Sequence, residues 1–80
     1  MMMKEEEIKD RLASSNPEFR RLVTEHRRYE IQLEELLGKH HMTDQDHIEE
    51  VRLKKLKLHL KDQMNSMIQK FRSELEHQHS

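Results

Sequence analysis

The sequence predicts an all-α fold: an antiparallel helical hairpin, coiled-coil-like, with a short helix ahead of it. Three observations carry that prediction. Ala, Glu, Lys, Leu and Arg make up 38 of 80 residues, close to the half expected of long helices and coiled coils. One Gly, one Pro and 4% aromatic residues leave too few turn formers and strand formers for a sheet. Apolar residues recur at spacings of three and four in two long stretches separated by a short polar one, the pattern of two helices folding back on each other.

The expected organisation is a single domain over 1–80. It has a short helix at 4–15, a first main helix at 17–37, a turn at 38–43 and a second main helix at 44–76. In the short helix, Ile8 and Leu12 are four apart and give one narrow apolar edge. Alone it is marginal, because so short a helix does not offset its nucleation cost. Asn16-Pro17-Glu18 is a strong helix start: Asn16 caps, Pro17 takes the first helical position and Glu18 faces the positive end of the dipole. Pro17 also keeps Asn16 out of helical geometry, so the chain bends there.

Along the first main helix, Phe19, Leu22, His26, Tyr29, Leu33 and Leu36 follow a 3-4-3-4-3 rhythm, a heptad seam. Val23 and Leu37 widen that stripe beyond what a two-helix seam needs. Gly38 stands where a C-cap glycine ends a helix. After the polar stretch Lys39-His40-His41-Met42, the residues Thr43-Asp44-Gln45-Asp46 read as a variant capping box with Thr43 as N-cap.

The second main helix carries Leu53, Leu56, Leu60, Met64, Met67, Phe71 and Leu75 as its seam stripe, with Ile48, Val51 and Leu58 nearly opposite. If the turn centres near His41, facing residues have numbers that sum to about 83. That places Leu33 against Ile48 to Val51, and Phe19 against Met64. The second helix is then the longer and overhangs at Met67, Phe71 and Leu75, where Ile8 and Leu12 lie in position to cover it. Ile48, Val51 and Leu58 exceed what one hairpin buries. They are the expected association face of a dimeric four-helix bundle.

Two blocks of residues also resemble a known family. Asn16-Pro17-Glu18-Phe19 with Leu22 and Glu25-His26, followed by Leu53-Lys54-Lys55, Leu58 and Leu60-Lys61-Asp62, resembles the YdcH-like family of small bacterial proteins over roughly residues 8–70. The resemblance implies a helical, coiled-coil-like domain and a bacterial origin, and it implies no activity. Met64, where a β-branched aliphatic residue is usual, and Leu56, where a polar residue is common, depart from the family pattern.

Charge sets further bounds. Fifteen basic residues meet 16 acidic ones, so no global field draws the chain to nucleic acid or anionic membranes. The basic residues Arg52, Lys54, Lys55, Lys57 and Lys61 form a local cluster suited to anion contacts, with Arg20, Arg21, Arg27 and Arg28 as a second, and binding of nucleic acid or the ribosome through the basic face of the second helix is the alternative reading. They are interleaved with Glu49, Glu50 and Asp62 and lack stacking aromatics, so a solvated helix face is the simpler account. No cysteine is present, which excludes disulfides and thiol chemistry. The acidic start is no signal peptide, and no apolar run approaches the ~20 residues of a membrane span, so a cytoplasmic location is expected.

Histidines are the remaining candidates for chemistry. His40, His41, Asp44 and His47 crowd the turn, yet neighbouring residues in a loop point apart, and a metal site is not expected. His26 at a seam position is either a pH-sensitive group or a polar residue that fixes register. There is no nucleophile–base pair, phosphate-binding loop or cofactor motif. The expected function is therefore non-catalytic: self-association as a homodimer, or contact with another helical protein, with no cofactor and no small-molecule substrate.

Overall fold

A computed structural model describes residues 3–78, and side chains through residue 76. Three helices follow one another: α1 (Glu5–Ser15), α2 (Pro17–Leu37) and α3 (Asp44–Gln78). The described residues contain no strand. α2 and α3 pack antiparallel as a hairpin, and α1 contacts both. The molecule measures 56 × 21 × 17 Å, and its long dimension is that of α3, ~52 Å at ~1.5 Å per residue.

The joint between α1 and α2 is a single residue. Asn16 adopts extended geometry, φ −121° and ψ 106°. Its backbone N–H donates to Leu12 O at 2.7 Å, closing α1. Its side-chain oxygen accepts from the N–H groups of Glu18 at 3.0 Å and Phe19 at 3.3 Å, opening α2. One residue thus ends one helix and caps the next, which orients α1 relative to α2 without a loop. At the start of α3, Asp46 N–H donates to Thr43 Oγ1 at 3.1 Å, and Thr43 N–H donates to Asp46 Oδ2 at 3.0 Å. This is a reciprocal capping box with aspartate in the acidic role.

Gly38 does not use the conformation that glycine alone favours. It sits in the right-handed helical region, φ −81° and ψ −5°, and donates to Glu34 O at 3.0 Å. Gly38 is thus the C-cap of α2 in right-handed geometry, and the end of the helix closes with a tighter bond from Lys39 N–H to Leu36 O at 3.3 Å. A Cβ at Gly38 would meet Glu34 O at 3.4 Å and Glu35 O at 3.6 Å, ordinary van der Waals contact. Gly38→Ala is accordingly expected to stabilise the fold by about 0.4–1 kcal/mol, through lower entropy of the unfolded chain. Urea unfolding followed by circular dichroism reads this directly, and a loss of stability would contradict the helical conformation at Gly38.

The core lies in two patches along the hairpin. At the turn end, Leu33, Leu36 and Leu53 are buried together, with Tyr29 and Met42 packed against them. Met42 is thus folded under the turn, where a polar connection was expected. At the far end, Ile8 and Leu12 of α1, Phe19 of α2 and Ile68 of α3 form the second cluster, joined by Met64, Met67 and Phe71. The overhang of α3 is covered there by α1, which gains from this packing the stability it lacks alone. Leu22 and Leu60 are also buried, at positions between the two clusters along the chain.

The register differs from the expected one by about a helical turn. Lys57 Nζ lies 3.8 Å from Glu30 Oε2, whereas a sum of 83 would set Glu30 against Leu53. Leu33 packs with Leu53 rather than with Ile48 to Val51. Phe19 shares its cluster with Ile68 as well as Met64. The cause is the asymmetric turn: right-handed geometry at Gly38 and the inward fold of Met42 move the pivot towards α3.

Candidate functional site

Two surface features stand out, and both arise from α3. The first is apolar. Ile48, Val51 and Leu58 are 61%, 52% and 59% exposed, and at ~100° per residue they occupy a single sector about 80° wide. Leu53, Leu60 and Ile68, which face the interior, lie on the other side of the helix. α3 therefore carries two apolar stripes, one buried within the hairpin and one uncovered. Val23, Ile31 and Leu37 of α2 are also exposed.

The second feature is a groove of about 770 Å³ between α2 and α3, bounded at its far end by α1. Its floor is apolar: Leu33, Met64 and Ile68, with Leu58 on the rim. Lys54, Lys57 and Lys61 run along one side at spacings of three and four, with His26 opposite and Lys9 and Glu5 of α1 at the end. Four lysines thus meet one glutamate in the lining. Lys54 is held by Glu50 at 2.8 Å. The Glu30 carboxylate lies between the hairpin arms, with one oxygen 3.8 Å from Lys57 Nζ and 3.9 Å from His26 Nδ1. His26 is 24% exposed, so it reaches the groove from the edge of the seam.

The other residues singled out from sequence fall as follows. Phe19, Leu22, Leu33, Leu36, Leu53 and Leu60 are buried, whereas Tyr29, Leu56, Met64, Met67 and Phe71 are half-buried. The two departures from the family pattern, Leu56 and Met64, therefore sit on the flanks of the seam. Ile68 is the buried residue that the seam assignment passed over in favour of Met67. The available signal was chemical, since a β-branched aliphatic side chain is a better core residue than a flexible thioether. Arg52 is bound by Glu49 within α3, while Lys55 is exposed. His40, His41, Asp44 and His47 do not converge, and no group of three or more potential metal ligands exists among the described residues. No described helix is long and apolar enough to cross a membrane.

Several carboxylates are held below their ordinary range by local partners. For Glu18 the cause is the hydrogen bond from Arg21, reinforced by its charge. For Asp46 it is the backbone bond from Thr43 and then Lys39. Glu49 is held down by Arg52 and Glu50 by Lys54. A carboxylate whose value is lower folded than unfolded adds stability that is complete above its ordinary value. That stability is lost as pH falls through the folded value. The denaturation midpoint is therefore expected to hold at neutral pH and to fall below pH 4.5, the ordinary glutamate value. Asp46→Asn should shrink the difference between pH 7 and pH 3, and an undiminished difference would show that the capping box does not contribute. Glu18 is exposed and Asp46, Glu49 and Glu50 are half-buried at the surface, so salt should reduce the effect, most strongly at Glu18.

Neither the curated proteins nor the solved structures give a match to this chain. The family model described as Protein of unknown function (DUF465) matches residues 19–68. That span runs from Phe19 at the start of α2 to Ile68 on α3 and contains every buried residue of the two hairpin helices, leaving out Ile8 and Leu12 of α1 and the half-buried Phe71. It takes in both apolar stripes of α3 and all of the groove except Glu5 and Lys9. With well over half of its length matched, the chain belongs to this family of helical proteins of unknown function, the family its YdcH-like motif blocks resemble.

Proposed function

We propose that this chain is a non-catalytic protein–protein interaction module of the bacterial cytoplasm, self-associating through the uncovered stripe of α3. The observation that supports this reading is the exposure of Ile48, Val51 and Leu58 in one sector of a helix whose opposite stripe is already buried. Apolar side chains scattered singly over a surface need no explanation, but three in one sector at helical spacing, interrupted there by Lys55, form a stripe that a partner helix covers. Pairing two hairpins along it gives a four-helix bundle, and a two-fold arrangement lets the same patch serve both copies.

Light scattering over a concentration series tests this. The expected mass is twice the monomer at high concentration, falling on dilution, and Val51→Glu should give a monomer at every concentration with helicity retained. A wild-type chain that stays monomeric throughout would remove self-association. Salt helps to identify the contact, because apolar pairing persists as ionic strength rises whereas phosphate contacts weaken steeply.

A further inference from the structure

We propose that the groove between α2 and α3 binds an acidic amphipathic helix of a different protein. The inference rests on the interaction reading above and names a partner class for a neighbouring surface. The groove runs along α3 from Lys54 to Ile68, ~21 Å at ~1.5 Å per residue, the length of about four helical turns. Its floor is apolar, so an entering helix buries a stripe of its own. Lys54, Lys57 and Lys61 follow each other at helical spacing along one wall, and a helix with carboxylates at the matching spacing meets Lys61 directly and shares Lys54 and Lys57 with Glu50 and Glu30.

Charge complementarity selects this occupant over the others. Glu50 and Glu30 already lie against Lys54 and Lys57, but Lys9 and Lys61 carry no ion pair among the described residues. A second copy brought face to face would oppose its own two to these, a like-charge contact that disfavours the pairing. Self-association is thereby left to the Ile48 and Val51 end of the stripe. Nucleic acid finds one ring in the lining, the imidazole of His26 at the edge of the seam, and no row of aromatic side chains on which to stack successive bases, and a phosphate backbone has no use for the apolar floor. A bilayer surface is flat and does not enter a groove between two helices.

The probe is a fluorescent peptide of about 14 residues with leucines on one face and glutamates flanking them. A matched peptide carries lysines in place of the glutamates. Anisotropy titrations of the full chain should show binding of the acidic peptide only, weakening as salt is added. Lys57→Glu with Lys61→Glu should weaken it about tenfold or more, with helicity retained. Lys61→Gln provides a milder variant should the double reversal disturb the fold. Lys70→Glu, on α3 outside the groove, should bind as the wild type does.

Absence of acidic-peptide binding, equal binding of the two peptides, or binding indifferent to the lysine variants would overturn the proposal. So would a single-stranded oligonucleotide that binds more tightly and is lost in the same variants. If Val51→Glu abolishes a dimer while the peptide fails to bind, the interaction reading stands and the acidic partner alone falls.

Discussion

Phe19→Ala is expected to cost about 3–5 kcal/mol, the range for truncating a buried aromatic residue and leaving a cavity. Phe19 is 1% exposed and is the largest of the fully buried side chains. It joins all three helices, because Ile8 and Leu12 of α1 and Ile68 of α3 meet it in one cluster. A chain of this size has about 4–12 kcal/mol to lose, so the variant should stand at the margin of folding. Its unfolding midpoint in urea should drop sharply. The α1 amides should also lose hydrogen-exchange protection before those of the turn end, since α1 depends on this cluster and on little else. A loss below about 1 kcal/mol would place Phe19 outside any packed core.

The same residue shows how far the sequence can be read. Phe19 was legible as a core residue because it opens a heptad run directly after an Asn-Pro cap, and caps and heptads are local patterns. The capping box at Thr43 to Asp46 was legible for the same reason: each bond spans three residues. Ile68 was not legible, because its burial depends on the register between two helices. That register is set by how the turn folds. Right-handed geometry at Gly38 and the inward packing of Met42 are tertiary outcomes, and they slide the arms by about one turn. The slip accounts for Leu33 meeting Leu53 as well as for the burial of Ile68.

For the candidate site the division is similar. The stripe of Ile48, Val51 and Leu58 could be read from spacing alone, since a helix has only one face towards its hairpin partner. The groove could not, because Glu5 and Lys9 reach it from another helix. The basic cluster seen in the sequence is also divided by the fold. Arg52 is bound by Glu49, while Lys54, Lys57 and Lys61 line the groove. Charge counts along a chain do not reveal that sorting, which depends on which side of α3 faces α2.

Leu53→Ala is expected to cost about 2–5 kcal/mol, and comparison with Val51→Ala makes it decisive. Leu53 is 1% exposed and closes the turn-end cluster with Leu33 and Leu36. Val51, two residues earlier, is 52% exposed on the other side of α3. With a turn centred at His41, residues 48 to 51 would face Leu33 and the valine would carry much of the burial. In the observed register, Val51→Ala should change the stability of the dilute protein by no more than about 0.5 kcal/mol. On the proposed self-association its effect should grow with protein concentration, because a second copy would then cover the stripe. The Leu53→Ala loss should be the same at every concentration, because its contacts lie within one chain. Equal losses for the two variants in dilute solution would place Val51 in the hairpin seam, and both the one-turn shift and the free apolar stripe would have to be given up.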